Sequence, residues 1–384
     1  MASDAGATGA RDPDAGVTTF EQLPRDVKNE ILGPTNLPEP ADLGRLRAVS
    51  HWMRAAVDAT GREIKEVSDK EAAKLGYVSL LKDRLSRGVL DYTGYLKGYL
   101  CEAAARKGDL EELKALGADC GWFGEKVCAR AAQGGHLETL KWLRENDCEW
   151  DMQTCRKAAK HGHLDVLKWA RANGCPWNKE TCEYAARNGH LETLKWARAN
   201  GCPWDERTCM YAAERGHLEV LKWAREKGCP WNWKTCTSAG ENGHLETLKW
   251  ALENGCPWES STCRYAAKYG HLEVLKWLRE NGCPWDEVTC QFAAQYGHLD
   301  VLKWARANGC PWSERTCWYA AEYGHLEVLK WLRENGCPWD KYTCEYAAQA
   351  GHFDVLKWAR ENGCPWDEWT CMYAARSGLL PSSP

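Results

Sequence analysis

Residues Cys209 to Thr235 read CMYAAERGHLEVLKWAREKGCPWNWKT, and this spelling recurs with one period up and down the chain. A cysteine heads each copy, at 101, 128, 155, 182, 209, 236, 263, 290, 317, 344 and 371, always 27 residues apart. A fixed period in the range of about 20–50 residues marks a stack of identical small units, each burying its apolar face against its neighbours. The unit predicts two short helices. Asp205 stands ready as N-cap of helix A, offering its carboxylate to the free backbone N–H groups of the first turn. Cys209, Ala212 and Ala213 fall at i, i+3 and i+4, a narrow stripe of small side chains that lets neighbouring helices approach closely. Gly216 closes helix A, and helix B follows from about His217 to Lys227 with Leu218, Val220, Leu221, Trp223 and Ala224 as its apolar face. Gly228 stops helix B, and Cys229-Pro230-Trp231 leads into the next copy. Five large side chains cannot offset the backbone entropy of one such unit, so neighbours on both sides are required.

Working outward, ten 27-residue copies run from Cys101 to Thr370, the first two less regular, with Asp109 in place of the histidine and Gly121-Trp122 in place of CPW, and residues 371–384 carry a truncated one that ends in Gly378-Leu379-Leu380-Pro381. Upstream, residues 61–100 read as a linker and a degenerate N-terminal capping repeat. Ala72-Ala73-Lys74-Leu75-Gly76 lines up with Ala266-Ala267-Lys268-Tyr269-Gly270, and Asp69 stands in the place of the cysteine. Terminal units of a solenoid depart from the pattern because one face meets no neighbour. Residues 1–18 are small and polar without periodicity and predict disorder.

Bulk properties exclude several classes. With 50 basic and 54 acidic residues the formal charge is −4, so no cationic excess marks a nucleic-acid or anionic-membrane surface. No apolar run approaches the roughly 20 residues needed to span a bilayer. The N-terminal MASDAGATGARDPDAG lacks the apolar centre of a secretory signal, and Asp4, Asp12 and Asp14 argue against a transit peptide, which predicts an intracellular protein of cytoplasm or nucleus. All 21 cysteines are positions of the motif, eleven heading helix A and ten following helix B, which reads as reduced core thiols and not as a disulfide framework. There is no CxxC pair, so the histidine and two cysteines of each unit predict packing residues and no metal or other cofactor. The periodic histidines are expected to bond loop backbone at the junction between helices. No glycine-rich phosphate loop, nucleophile elbow or HExxH occurs, and a residue repeated in every unit describes a scaffold, so no catalytic residue is assigned.

The unit TCxxAAxxGHLEVLKWLRENGCPW resembles the ankyrin repeat in its AA pair, its GHLEV entry to helix B and the Gly-Cys that stands for the usual Gly-Ala. The period departs from it. Ankyrin units run about 33 residues, and the residues lacking here fall between Trp and Thr, where that family places a β-hairpin. The resemblance therefore implies an all-α, ankyrin-like helical-repeat solenoid with short turns in place of hairpins, in which the LKW and CPW tryptophans replace lost burial. Residues 19–60 resemble the F-box, in the order LP, IL, DL, LR, VS, W and a closing V-D. That resemblance implies a small helical module docking a Skp-type linker protein of a cullin-type ubiquitin ligase. Leu23, Pro24, Ile31, Leu43, Leu46, Val49 and Trp52 match its motif, whereas the loop from Gly33 to Pro40 is longer than expected.

Comparison of the copies shows where they differ. The cysteine and the Ala-Ala pair scarcely change, while the first, fifth and sixth residues after cysteine and the two before threonine change often. On a helix those positions lie mainly opposite the buried stripe, on the side that lines the concave face in ankyrin-type arrays. The side chains found there include Met210, Arg215, Trp233, Arg264, Tyr269, Gln291, Tyr296, Trp318, Tyr323, Tyr342, Glu345 and Trp369. Aromatic and charged residues on an exposed face have the chemistry of interaction hot spots. The expectation is a non-enzymatic, monomeric interaction protein that selects a protein ligand on this face as an F-box-type ligase adaptor. A scaffold without a ligase role, its N-terminal helices merely capping the array, is the alternative.

Overall fold

A computed structural model describes residues 93–117 and 124–376, together with Ser68, Lys70, Ala72 and Leu81. The expected F-box-like module of residues 19–60, the N-terminal residues 1–18 and residues 377–384 lie outside the described residues, as does most of 61–92. The described residues form 21 α-helices and no strand, so turns do stand where an ankyrin unit carries its hairpin. The chain divides into two compact units, residues 1–149 and 150–384.

In the first unit, helix Thr93–Lys107 packs on helix Gly124–Gly134, with Leu110–Leu116 and Leu137–Glu145 as the second helices of the two copies. Thr93 to Leu100, expected to precede the first regular copy, continue into the same helix as Cys101. Glu102 and Arg130, both largely buried, join the two packed helices through a 3.0 Å ion pair.

The second unit is an ankyrin-like repeat solenoid of eight helix pairs and a last single helix, Glu368–Arg376. Helix A of each copy packs on helix A of the next, and helix B packs on its own helix A. The pair Glu206–Glu214 and Leu218–Glu226 shows why. Asp205 caps helix A by accepting from the Arg207 N–H at 3.0 Å, satisfying one of the orphan donors of the first turn. Thr208, Cys209, Ala212 and Ala213 are buried, which sets helix A against its neighbours with little side-chain thickness between them. From helix B, Val220, Leu221 and Ala224 are buried. Leu218 and Trp223 are only half-buried, because the stack covers a narrower stripe than the helical wheel of the isolated unit suggests.

The connection after helix B is held by tryptophan and cysteine. Arg225 donates to the Cys229 carbonyl, and its guanidinium lies 4.0 Å from the ring centre of Trp231. Trp231 in turn meets Trp250 of the next copy edge-on, with centroids 6.0 Å apart. Cation–π and edge-to-face aromatic contacts each add about 0.5–1.5 kcal/mol beyond burial. The cysteines close each copy on itself: Cys236 Sγ donates to the Cys256 carbonyl at 3.9 Å, and Cys256 Sγ to the Asn232 carbonyl at 3.5 Å. Contact with the second thiol, followed by burial, pushes Cys236 above the ordinary thiol range, so it stays a protonated core residue.

The periodic histidine reaches further than its own loop. His244 Nε2 lies 3.1 Å from the Glu214 carbonyl at the end of the preceding copy's helix A. The same link joins His190 to Lys160, His271 to Glu241, His298 to Lys268 and His325 to Gln295. The ring N–H donates there, covering a carbonyl that the helix end leaves without an intrahelical partner. Its face lies against the preceding copy's glycine: a Cβ built on Gly216 would stand 2.7 Å from His244 Nδ1.

Burial lowers the pKa of His190, His217, His271 and His325 below the usual imidazole value. A folded pKa below the unfolded one, about 6.5, means that this stability is complete above pH ~6.5 and is lost as pH falls toward the folded values. Thermal melts should therefore show Tm dropping between pH 7.5 and 5.5, a window above the carboxylate range. Replacing these four histidines with glutamine, which still donates but does not titrate, should flatten the drop. A wild-type Tm that is constant or rises over this window would contradict the account.

Candidate functional site

The residues that differ between copies sort into rows along the second unit, and the rows have different surroundings. The first residue after the cysteine turns toward the next copy. Arg264 Nε donates to Asp286 Oδ1 at 3.0 Å, and Trp318 Nε1 donates to Asp340 Oδ1 at 2.6 Å. Gln291 Nε2 reaches Ser313 Oγ at 3.5 Å, and Arg156 Nη1 reaches Glu180 Oε2 at 2.8 Å. Asp286, Ser313 and Asp340 are the N-caps of the following helix A. This row clamps copy to copy. Gln291, expected on the exposed face, is instead buried at 4 % exposure, because the next helix A N-terminus covers it. Met210, Arg264, Trp318 and Glu345 of the same row are half-buried, as is Trp233 at the start of its helix.

The sixth residue after the cysteine caps the C-terminus of helix A and points outward. Arg215, Tyr269, Tyr296 and Tyr323 all stand there and are exposed. The three tyrosines form a ladder, Tyr269 to Tyr296 with centroids 6.4 Å apart and Tyr296 to Tyr323 with centroids 6.3 Å apart, at interplanar angles of 33° and 28°. Tyr342 and Trp369, two residues before their cysteines, are also exposed. Tyr342 packs edge-on against Trp318 of the preceding copy, centroids 5.2 Å apart.

A further aromatic row was not singled out in the sequence. The second residue after the cysteine is Tyr184, Tyr211, Tyr265, Phe292, Tyr319, Tyr346 or Tyr373 in seven of the copies, the last single helix included, and all are half-buried beside the variable rows. The signal was the near-constancy of an aromatic on an otherwise polar helix side, which a search for variable positions passes over. Tyr184 carries Arg156 and Lys160 over its ring at 5.3 and 5.6 Å, and Tyr265 lies 6.3 Å from Phe292. Among the described residues no group of three or more His, Cys, Asp or Glu side chains is arranged to hold a metal ion, and no helix is long and apolar enough to cross a membrane.

Not every member of the row carries a donor: Met210 and Glu345 have none, and neither does Glu183, which is the buried case. Glu183 is 3 % exposed and its Oε1 has no hydrogen-bond partner. It faces Asp205, the next N-cap, which already accepts from Lys179 Nζ at 2.6 Å and the Arg207 N–H. Burial first, and the Asp205 charge second, raise the Glu183 pKa above the usual carboxylate range. Glu183→Gln supplies the donor that Gln291 supplies in its own copy. It should stabilise the protein by about 1 kcal/mol at pH 7.5 in urea titrations, and unchanged or reduced stability would contradict this reading of the row.

Comparison with known proteins agrees with the architecture. Residues 127–171, 182–225 and 263–309 match the family model for ankyrin repeats in many copies. No curated protein matches the chain. Among solved structures, the ankyrin repeat domain of human ASB11 is similar at 23% sequence identity, covering 41% of this chain and 84% of that one, with a TM-score of 0.36. The pentatricopeptide repeat protein PPR10, crystallised with an 18-nt psaJ RNA element, is similar at 15% identity, covering 91% of this chain and 61% of that one, with a TM-score of 0.42. The paired helices and the matches of residues 127–171, 182–225 and 263–309 to ankyrin repeats define the class as an all-helical, ankyrin-like repeat solenoid. Ankyrin repeats bind protein partners in general.

Proposed function

We propose that this chain is a non-enzymatic interaction protein whose helix A face in the second unit binds a protein partner. The observation that carries the reading is the contrast between rows. The clamping row is spent on neighbouring copies, whereas Arg215, Tyr269, Tyr296, Tyr323, Tyr342 and Trp369 stay exposed along helix A without serving the stack in the same way. Large aromatics held on rigid helices lose little entropy on binding and bury much area. The F-box resemblance of residues 19–60, carried by Leu23, Pro24, Ile31, Leu43, Leu46, Val49 and Trp52, supports a finer reading in which the bound protein is presented to a cullin-type ligase through a Skp-type linker.

Photo-crosslinking amino acids placed at Arg215 and Tyr342 in the full chain should trap a discrete protein in the cell of origin. The same group at Glu219, exposed on helix B, should not. Equal labelling from both helices would contradict the proposal. A Skp-type linker that co-purifies with the wild type and is lost on Leu23→Ala with Leu46→Ala supports the adaptor reading; a linker that never co-purifies leaves the scaffold.

A further inference from the structure

The repeat holds an internal template for one contact on this face. Lys268 places its ammonium 4.9 Å from the ring centre of Tyr269, 5.2 Å from Tyr296 and 5.7 Å from Tyr265. Polar contact with the Tyr269 hydroxyl, opposed by desolvation, raises the Lys268 pKa, with Tyr296 contributing as well. A cation among aromatic rings at these distances is held by their quadrupoles, by about 0.5–2 kcal/mol. Moving the constellation on by one copy replaces Tyr265 with Phe292, Tyr269 with Tyr296, and Tyr296 with Tyr323, while Lys268 becomes Gln295. The two ring pairs have nearly the same geometry, 6.4 Å and 33° against 6.3 Å and 28°. The second pair thus keeps the rings of the first but draws no charge from the equivalent position. Of this pair only the Tyr296 ring is shared with Lys268, which lies 5.2 Å from its centre.

We propose that the Tyr296–Tyr323 pair takes the ammonium of a lysine side chain presented by the partner protein, as Tyr269 and Tyr296 take Lys268. This rests on helix A being the protein-binding face, and it states what part of that face recognises. The arrangement fits a cation better than an acidic or purely apolar group, since the π-faces favour positive charge, as they do for Lys268.

The test uses the full chain and fluorescence anisotropy with a labelled peptide of repeating Gly-Lys-Ser, repeating Gly-Gln-Ser serving as the control peptide. The lysine peptide should bind more tightly than the glutamine peptide. Tyr323→Leu should weaken it about five-fold or more, and Gln295→Lys, which fills the rings as Lys268 does one copy earlier, should weaken it similarly. Gln349→Lys adds the same charge at an exposed position outside the ring pair and should change affinity by less than about two-fold, separating ring occupancy from general repulsion. Lys268→Gln should strengthen binding by freeing the first pair. The proposal is overturned if Tyr323→Leu binds as the wild type does, or if Gln349→Lys weakens binding as much as Gln295→Lys. A single-stranded oligouridylate that binds in the same assay and is lost with Tyr323→Leu would likewise overturn it. Circular dichroism and melts of each variant identify any that fail to fold. The crosslinking positions Arg215 and Tyr342 lie off these rungs, so the binding-face reading can stand while this assignment falls.

Discussion

The contact between each histidine and the preceding copy's glycine is the constraint on which the stack depends. At Gly216 the backbone turns out of helix A with φ +70°, a conformation that glycine alone adopts without cost. The same absence of a side chain lets the His244 ring close over the turn and reach the Glu214 carbonyl. One residue pair therefore ends a helix, satisfies its terminal acceptor and fixes how near the next copy can come. The small Cys-Ala-Ala stripe supplies dispersion contact only once that approach is allowed. The Gly-His dipeptide is thus a unit of geometry in this chain, and its recurrence every 27 residues propagates one spacing through each run of copies.

With that spacing set, side chains of different rows on the same helix acquire different tasks. The residue after each cysteine finds the N-cap of the following helix within reach, so Arg264, Gln291 and Trp318 vary in type but share the role of donor to the next copy. Arg264 and Trp318 meet aspartates and Gln291 meets Ser313, whereas Glu183 faces Asp205 without a donor to offer. Five positions further along the helix, the side chain emerges exposed at the C-terminal end, where it meets its own row and the residue just before it, as Tyr269 meets Lys268 and Arg215 meets Glu214. Arginine and tyrosine at those places, including the Tyr269–Tyr296–Tyr323 ladder, stay exposed on the surface.

Much of this was legible in the sequence. The period, the Asp205 cap, the Gly216 and Gly228 stops and the buried Cys209-Ala212-Ala213 stripe follow from rules that act within a few residues, and the structure keeps each of them. The ankyrin-like helix pairing followed from the AA and GHLEV spelling, and the turns in place of hairpins from the short period. Less legible were relations between copies. A helical wheel puts Gln291 on an outer face, but its burial depends on where Ser313 lies, 22 residues on, after stacking. The histidines read as loop ligands, and their true acceptor lies 30 residues back. Half-burial of Trp223 and Leu218 has the same origin, since an isolated unit does not say how wide a stripe its neighbours cover.

The most direct test compares two glycines that differ only in what stands opposite them. Gly216 and Gly228 both have positive φ, +70° and +78°, but a Cβ on Gly216 meets the His244 ring at 2.7 Å, while one on Gly228 meets nothing within 4 Å. Gly228→Ala should cost about 1 kcal/mol in urea titrations, the backbone term alone. Gly216→Ala should cost about 1–3 kcal/mol more, because a pinned ring must move and its carbonyl link break, with amide protection lost first around Glu214 and His244. Equal losses for the two variants would show that the histidine contact does not set the stack.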